Sequence, residues 1–122
     1  MSPDILLKIE TVLKASNLLD DAQVTLLCSK FENYKPGRLV FPNMVKRHLG
    51  VSLKEAYNIL NELVDAKILK LCFQLQCKNE GCSEVYRYVF EEINEIPKSL
   101  TCEHCGCTFD ILKDTKVIFK VK

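Results

Sequence analysis

The chain has 122 residues, 48% of them apolar and 27% charged, a balance that is typical of a globular protein and excludes a disordered or collagen-like chain. With 17 Lys and Arg against 16 Asp and Glu, its net charge is only +1, which argues against a strong sequence-independent hold on DNA. Residues 1–4 lack the basic start of a secretory signal, and no apolar run is long enough to cross a bilayer, so we expect a cytoplasmic protein.

Two helices are predicted in the first third of the chain. Ser2 and Pro3 suit the N-cap and the first position of a helix that runs to about Ala15. A second helix is expected to begin at Asp20 or Asp21. Its apolar residues follow at steps of three and four positions: Val24, Leu27, Cys28 and Phe31.

A short helix, a tight turn, a longer helix and a strand are predicted next. Pro42 opens the short helix and Gly50 ends it. Ser52, with Glu55 three residues later, predicts a capping box that opens the longer helix. The strand covers residues 68–76. The buried face of the longer helix is expected to contain Ala56, Ile59, Leu60 and Leu63.

This order of elements is typical of a winged helix-turn-helix domain, in which the strand forms the first side of the wing. Residues 41–69 resemble the central motif of the winged-helix family, with the turn glycine, the capping serine and a final Ile-Leu in the expected places. We therefore predict a winged helix-turn-helix domain over residues 1–76. A three-helix bundle would carry the same periodicity and is the alternative.

The second part of the chain, residues 77–122, is expected to consist of strands and two cysteine loops. β-Branched and aromatic residues predict strands over 84–90 and 116–122, with a further strand after Gly106 through Thr108, Phe109 and Ile111. The predicted fold class is therefore α+β, with a small antiparallel sheet in the C-terminal part.

Seven cysteines in a short chain from a reducing compartment are better explained as metal ligands than as disulfide partners. Two loops carry them in pairs, CKNEGC at residues 77–82 and CEHC at residues 102–105. Two turns that each supply two thiolates fit the tetrahedral geometry of zinc, and Gly106 lets the chain turn tightly behind the second loop. We predict a zinc ribbon over 77–122 with one structural Zn2+, bound by Cys77, Cys82, Cys102 and Cys105.

The fourth ligand leaves two alternatives open. Cys107 can replace Cys105, because it pairs with Cys102 at the wider spacing of the first loop. We prefer Cys105, since Cys-x-x-Cys-Gly is the compact ligand turn. His104 is a ligand in principle, although a residue at this place more often points to solvent.

Catalysis is not expected. Four thiolates leave zinc no open position for water or substrate. The histidines, His48 and His104, are better explained as surface residues, and no Gly-rich phosphate loop is present in the sequence. Cys28 and Cys72 stand at apolar positions, where a cysteine behaves as a small hydrophobic side chain.

Nucleic-acid binding is the alternative function for the first domain. In a DNA-binding winged helix, the helix that begins at Ser52 enters the major groove and the short helix before it contacts phosphates. Glu55, Glu62 and Asp65 weaken the positive field of that helix, so a protein partner ranks ahead of DNA. The candidate nucleic-acid-binding residues are Lys46, Arg47, Lys54, Asn58, Asn61 and Lys70.

A winged helix followed by a zinc ribbon resembles the alpha subunit of archaeal and eukaryotic transcription initiation factor E, and this resemblance implies contact with RNA polymerase and promoter DNA without catalysis. Residues 95–109, followed by the final Val-Ile-Phe-Lys-Val strand, are similar to small accessory proteins of bacterial conflict or defence systems, which implies a partner in a larger complex such as an ATPase or nuclease effector. We therefore expect a non-enzymatic zinc-binding adaptor or regulatory module in a protein assembly. The alternative is a DNA-binding transcriptional regulator.

Overall fold

A computed structural model describes residues 1–76, 87–102 and 105–122. Within these ranges the chain is an α+β protein with five α-helices, a 3₁₀ helix at Ile93–Glu95 and four strands in one antiparallel sheet. The predicted fold class is confirmed at this level. No helix in the described ranges combines the length and the apolar character that crossing a bilayer requires.

The first two helices are capped by side chains that accept from their free N–H groups. Helix α1 (Pro3–Ser16) follows Ser2, whose hydroxyl accepts from the N–H of Ile5 at 3.3 Å, which confirms the predicted cap. Helix α2 (Asp21–Phe31) begins with a capping box in which the Asp20 carboxylate accepts from the N–H of Gln23 at 2.7 Å. The buried residues of the two helices are Ile9, Leu13, Val24, Leu27 and Phe31.

Helices α3 (Pro42–Leu49) and α4 (Leu53–Asp65) are joined by a tight turn. Gly50 ends α3 with a φ of 68°, and its N–H donates to the Lys46 carbonyl at 2.9 Å. A residue with a Cβ would be strained in this left-handed conformation, so the glycine sets where α3 stops. Ser52 accepts from the N–H of Glu55 at 3.1 Å and completes the predicted capping box. The predicted buried face of α4 is confirmed.

The sheet has the strand order β1-β4-β2-β3. Its strands are β1 (Leu39–Val40), β2 (Leu69–Gln76), β3 (Arg87–Phe90) and β4 (Thr115–Val121). In the register of the antiparallel pairs, Val40 lies opposite Phe119 and Gln74 lies opposite Val89. The last strand along the chain therefore lies between the first and second strands.

The first of two compact units contains Met1–Lys70 and Phe119–Lys122. The end of the chain joins it through backbone hydrogen bonds, from Val121 to the Arg38 carbonyl at 2.9 Å and from Lys122 to the Ile68 carbonyl at 3.2 Å. This unit buries large apolar side chains from all four of its helices and from the final strand, among them Phe31, Leu60 and Phe119.

The second unit is Leu71–Ile118 and has a small apolar cluster of its own. The buried members of this cluster are Leu75, Cys102 and Phe109. Partly buried side chains pack against it: Tyr88, Phe90, Ile96, Leu100, Cys105 and Ile111. The compact units place residues 71–76 and the last four residues differently from the predicted ranges 1–76 and 77–122, and those domain ranges stay a prediction.

The strand expected after Gly106 does not extend to Ile111. Thr108 forms an isolated antiparallel bridge with Thr101, and Ile111 instead begins a short helix, α5 (Ile111–Asp114). The Asp110 carboxylate accepts from the N–H of Lys113 at 3.3 Å and caps this helix. A local cap therefore overrides the strand preference of the apolar residues.

Candidate functional site

Two of the four predicted zinc ligands, Cys102 and Cys105, lie in the described part of the chain. Cys77 and Cys82 lie outside the described residues, as does the alternative ligand His104. Among residues 1–76, 87–102 and 105–122, no three His, Cys, Asp or Glu side chains come close enough together to hold a metal ion. Because that set lacks half of the expected ligands, the four-thiolate site stays a prediction.

The segment around the second cysteine loop is a narrow antiparallel hairpin. Thr101 and Thr108 face each other in the β-bridge, and the N–H of Phe109 donates to the Leu100 carbonyl at 2.8 Å. Leu100 and Phe109 both pack in the small apolar cluster, where the Phe109 ring contacts the Tyr88 ring edge-on at 5.7 Å between centroids. The hairpin thus anchors its base on a packed aromatic pair.

The backbone closes tightly at Cys102 itself. Its N–H donates to the Cys107 carbonyl at 2.8 Å, and its carbonyl accepts from the N–H of Gly106, also at 2.8 Å. Gly106 has a φ of +77°, a conformation that favours glycine strongly. The predicted role of this glycine in a tight turn is confirmed, and the turn holds the backbone at both ends of the Cys102–Cys107 loop.

Burial falls along the three cysteines of this hairpin. Cys102 is only 1% exposed, and it belongs with Leu75 and Phe109 to the buried part of the apolar cluster. Cys105 is half-buried and packs against the same cluster, whereas Cys107 is exposed. Cys102 therefore belongs to the cluster that Cys105 packs against.

The remaining described cysteines have the surroundings of small apolar side chains. Cys72 on β2 is fully buried. Cys28 on α2 is half-buried, with its Sγ 4.0 Å from the Leu6 carbonyl oxygen. Burial raises the pKa of the Cys28 thiol, and the negative charge of Glu10 raises it further. A raised pKa lowers the thiolate fraction at neutral pH and makes Cys28 a poor nucleophile.

A second candidate site is the polar face of α3 and α4. Lys54, Asn58 and Asn61 follow one another at positions i, i+4 and i+7, so they share one face of α4, and all three are exposed. Lys46 and Arg47 are exposed in the last turn of α3. The sixth predicted residue, Lys70, lies on β2 and is half-buried.

Sequence reasoning missed a basic notch beside this face. Lys30 on α2 lines a shallow, largely open depression of about 300 Å3 together with Met44, Arg47 and His48 of α3. The Nε2–H of His48 donates to the Leu26 carbonyl, 3.2 Å away, and so joins α3 to α2. No local pattern links Lys30 to Arg47, because the two residues belong to helices that meet only in the folded chain.

Sequence reasoning also missed a buried amide on β2. Gln74 is 4% exposed, and its Nε2 has no hydrogen-bond partner among the described residues. An unpaired amide in an apolar environment is costly, so this position departs from ordinary packing.

No protein-family model, curated protein or solved structure matches this chain. The proposed function therefore depends on the residues and geometry described above.

Proposed function

We propose that this chain is a non-enzymatic zinc-binding adaptor or regulatory module that acts within a protein assembly. It consists, in this proposal, of a winged helix and a zinc ribbon, with one structural Zn2+ bound by Cys77, Cys82, Cys102 and Cys105. The observation that carries the proposal is the closed turn at Cys102, where a buried cysteine and a half-buried one stand three residues apart, directly before a left-handed glycine.

The turn supports a structural metal for a physical reason. A thiolate pair must be held at a fixed separation before it can occupy two corners of a tetrahedron, and backbone hydrogen bonds at both ends of the loop hold it. Among the described residues of the second unit, the apolar cluster has three buried members, and a small fold of this kind is one that metal ligation stabilises. Exposed Cys107 is less suited than Cys105, because it lies away from the cluster that positions Cys102.

The sheet order supports the winged-helix part of the proposal. A wing consists of two neighbouring antiparallel strands that follow the helix-turn-helix, with a short earlier strand at the edge. Strands β2 and β4 are neighbours, and the two-residue β1 lies on the other side of β4. In this interpretation the ribbon occupies the chain between the two wing strands, so that β4 belongs to the winged helix and not to the ribbon.

A role in an assembly is supported by apolar side chains on the surface of the second unit. Leu112 on α5 is 94% exposed and Ile93 is 70% exposed. Single exposed apolar residues are common on proteins, but two such residues in so small a unit favour a protein partner. A zinc ion with four thiolates has no open position for substrate, so this proposal assigns the protein no catalysis. The resemblance to accessory proteins of bacterial defence systems points to the same kind of role.

The zinc proposal is tested by elemental analysis of the purified, tag-free chain. We expect about one zinc per chain, the stoichiometry of a closed structural site. Cys102→Ser is expected to lose most of the metal, whereas the matched control Cys107→Ser is expected to keep it. A chain without stoichiometric metal contradicts the proposal, and loss of metal in the control alone would reassign the ligand to Cys107.

The partner proposal is tested separately from the metal. Leu112→Asp is expected to abolish recovery of a specific complex from the native host while leaving zinc content and melting temperature unchanged. Leu7→Asp is the control, because Leu7 is also an exposed leucine and lies on α1 of the first unit. Equal recovery with both variants would contradict a partner surface on the second unit.

DNA binding is the second candidate function, and one observation favours it. Lys54, Asn58 and Asn61 project from one exposed face of α4, which begins directly after the turn that follows Lys46 and Arg47. Asn can read adenine and Lys can read guanine in the major groove. Fluorescence anisotropy with duplex DNA tests this, since a double Lys46→Glu, Arg47→Glu variant is expected to lose binding with unchanged zinc content. Retained affinity would exclude this face.

A further inference from the structure

We propose that the notch formed by Lys30, Arg47 and His48 binds a backbone phosphate of a nucleic acid, an inference that rests on the second candidate function. The notch has a volume of about 300 Å3, and Met44 completes its lining. The lining contains no acidic side chain. The cationic groups that it presents to a ligand are the Lys30 ammonium and the Arg47 guanidinium, while the Nε2–H of His48 donates to the Leu26 carbonyl.

The three basic residues converge because two helices are joined by specific hydrogen bonds. Met44, Arg47 and His48 stand at positions i, i+3 and i+4 of α3 and so share one helix face. His48 Nε2–H donates to the Leu26 carbonyl of α2 at 3.2 Å. This bond holds α3 against the part of α2 that carries Lys30, so the helix positions that carry the basic side chains are set in the free chain.

A second hydrogen bond joins the same helices at the other end of the contact. The Gln23 amide of α2 donates from Nε2 to the Leu49 carbonyl at the end of α3, 3.2 Å away. Two bonds along one contact fix the register of the helices. The backbone positions of Lys30 and Arg47 relative to each other are therefore set by the fold.

The charges in the notch are not neutralised locally. Within the described residues, neither the Lys30 ammonium nor the Arg47 guanidinium forms an ion pair or a side-chain hydrogen bond. Lys14, by contrast, is held 2.8 Å from the Glu10 carboxylate. Arginine provides a planar fork of donors and lysine a point charge, which together suit an oxyanion with several acceptor oxygens.

Nucleic acid is the phosphate source that the position of the notch favours. Arg47 and His48 are the residues just before the turn into α4, whose exposed face carries Lys54, Asn58 and Asn61. A phosphate held in the notch would fix the orientation of the helix, while the amides of α4 contact base edges. Because the whole chain has a net charge of only +1, a local basic site would act by positioning and not by a broad attractive field.

A structural role for these residues makes a different prediction. Lys30 and Arg47 lie in the last turns of α2 and α3, where cations stabilise a helix through its dipole. If stabilising the helix ends were their only role, neutralising Lys30 would lower the melting temperature and leave DNA affinity unchanged.

The decisive experiment compares Lys30→Gln with Lys14→Gln by fluorescence anisotropy on a labelled random duplex between about 50 and 200 mM salt. Lys30→Gln is expected to weaken binding by about 3- to 10-fold at the lower salt concentration and to reduce the slope of log K against log salt by about one. Lys14→Gln removes the same charge from an exposed helical lysine and is expected to leave both quantities unchanged. An unchanged slope of log K against log salt in Lys30→Gln would contradict phosphate binding in the notch.

The controls separate failure of the notch from failure of the DNA candidate. If the wild-type chain binds no duplex at the lowest salt concentration, both the DNA-binding function and the phosphate site in the notch are contradicted. If it binds and Lys54→Gln weakens binding while Lys30→Gln does not, only the phosphate site in the notch is contradicted. Zinc content and melting temperature of each variant show that a lost affinity does not come from a lost fold.

Discussion

The two compact units of this chain differ in what can hold them together. The first, Met1–Lys70 with Phe119–Lys122, buries large apolar side chains from four helices, and Phe31, Leu60 and Phe119 are completely buried. The second is Leu71–Ile118, and its described residues form a cluster with three buried members, one of which is Cys102. Burial of apolar area is the main stabilising contribution to folding, and among the described residues this contribution is larger in the first unit than in the second.

The difference explains why the cysteines are distributed unevenly. Cys28 and Cys72 stand far apart in the chain, whereas the other five lie between positions 77 and 107. In the proposal, a thiolate-bound metal cross-links the second unit and adds to its stability. The small apolar cluster described in the second unit is thus linked to the proposed zinc site. Loss of metal is expected to affect this unit more than the first.

The largest expected effect is removal of the metal. A chelator is expected to abolish the dispersed backbone amide signals of the second unit, such as those of Leu75 and Phe109, while signals of Val24 and Leu60 persist. The reason is that binding of structural zinc contributes on the order of 10 kcal/mol in small zinc folds. Two-dimensional amide NMR before and after chelation measures this. Signals that remain dispersed in both units would show that the second unit needs no metal to fold.

Next in size is truncation of the first core. Leu60→Ala removes a side chain of zero exposure and is expected to cost about 2 to 5 kcal/mol in the free energy of unfolding, because a cavity forms in a packed interior. The matched control is Leu7→Ala, where the leucine is 63% exposed and little change is expected. Urea denaturation followed by far-UV circular dichroism measures both. A small cost at Leu60 would show that the first unit is loosely packed.

A smaller effect is expected at the cap of α4. Ser52→Ala removes the hydroxyl that accepts from the N–H of Glu55 and is expected to lower the free energy of unfolding by about 1 kcal/mol. Ser52→Asp restores an acceptor and is expected to recover most of the loss. The same denaturation experiment compares the three chains, and equal stability of all three would mean that the cap does not matter in the folded protein.

The smallest expected effect is at Gln74. Gln74→Leu replaces an amide whose Nε2 has no partner among the described residues, and it is expected to be neutral or to stabilise the protein by up to about 1 kcal/mol. Gln74→Glu is the opposing variant, since a buried carboxylate is costly. The melting temperatures of the wild-type chain and the two Gln74 variants, measured with zinc added, rank their stabilities. Clear destabilisation by leucine would indicate that the amide has a partner outside the described residues.

Local signals in the sequence predicted the helices well. The Ser2 cap, the Gly50 stop and the Ser52–Glu55 capping box each depend on residues within one turn of one another, and the structure confirms them. The same reasoning missed the cap at Asp110, because β-branched and aromatic neighbours made a strand the simpler expectation. Short segments carry weak signals, and a single capping side chain is enough to change their conformation.

The last strand shows the limit of periodicity. Alternation places Val117, Phe119 and Val121 on one face, but Ile118 is buried as well, so both faces of β4 are covered there. In the sequence the only sign of this is that Ile118 breaks the alternation, and burial of a strand face depends on what packs against it. The candidate ligand pair Cys102 and Cys105 was predictable from spacing alone, whereas their graded burial was not.

Neighbouring residues were enough to specify the α+β class, the helix boundaries with local caps and the paired cysteine spacing, because each of these is a local property of the chain. The folded arrangement was needed to show that β4 lies between β1 and β2, that Lys30 lines a notch with Arg47, and that Gln74 is buried without a described partner. These features join residues that are distant in the chain. Their energies come from packing and hydrogen bonds that form only when the helices and strands have come together.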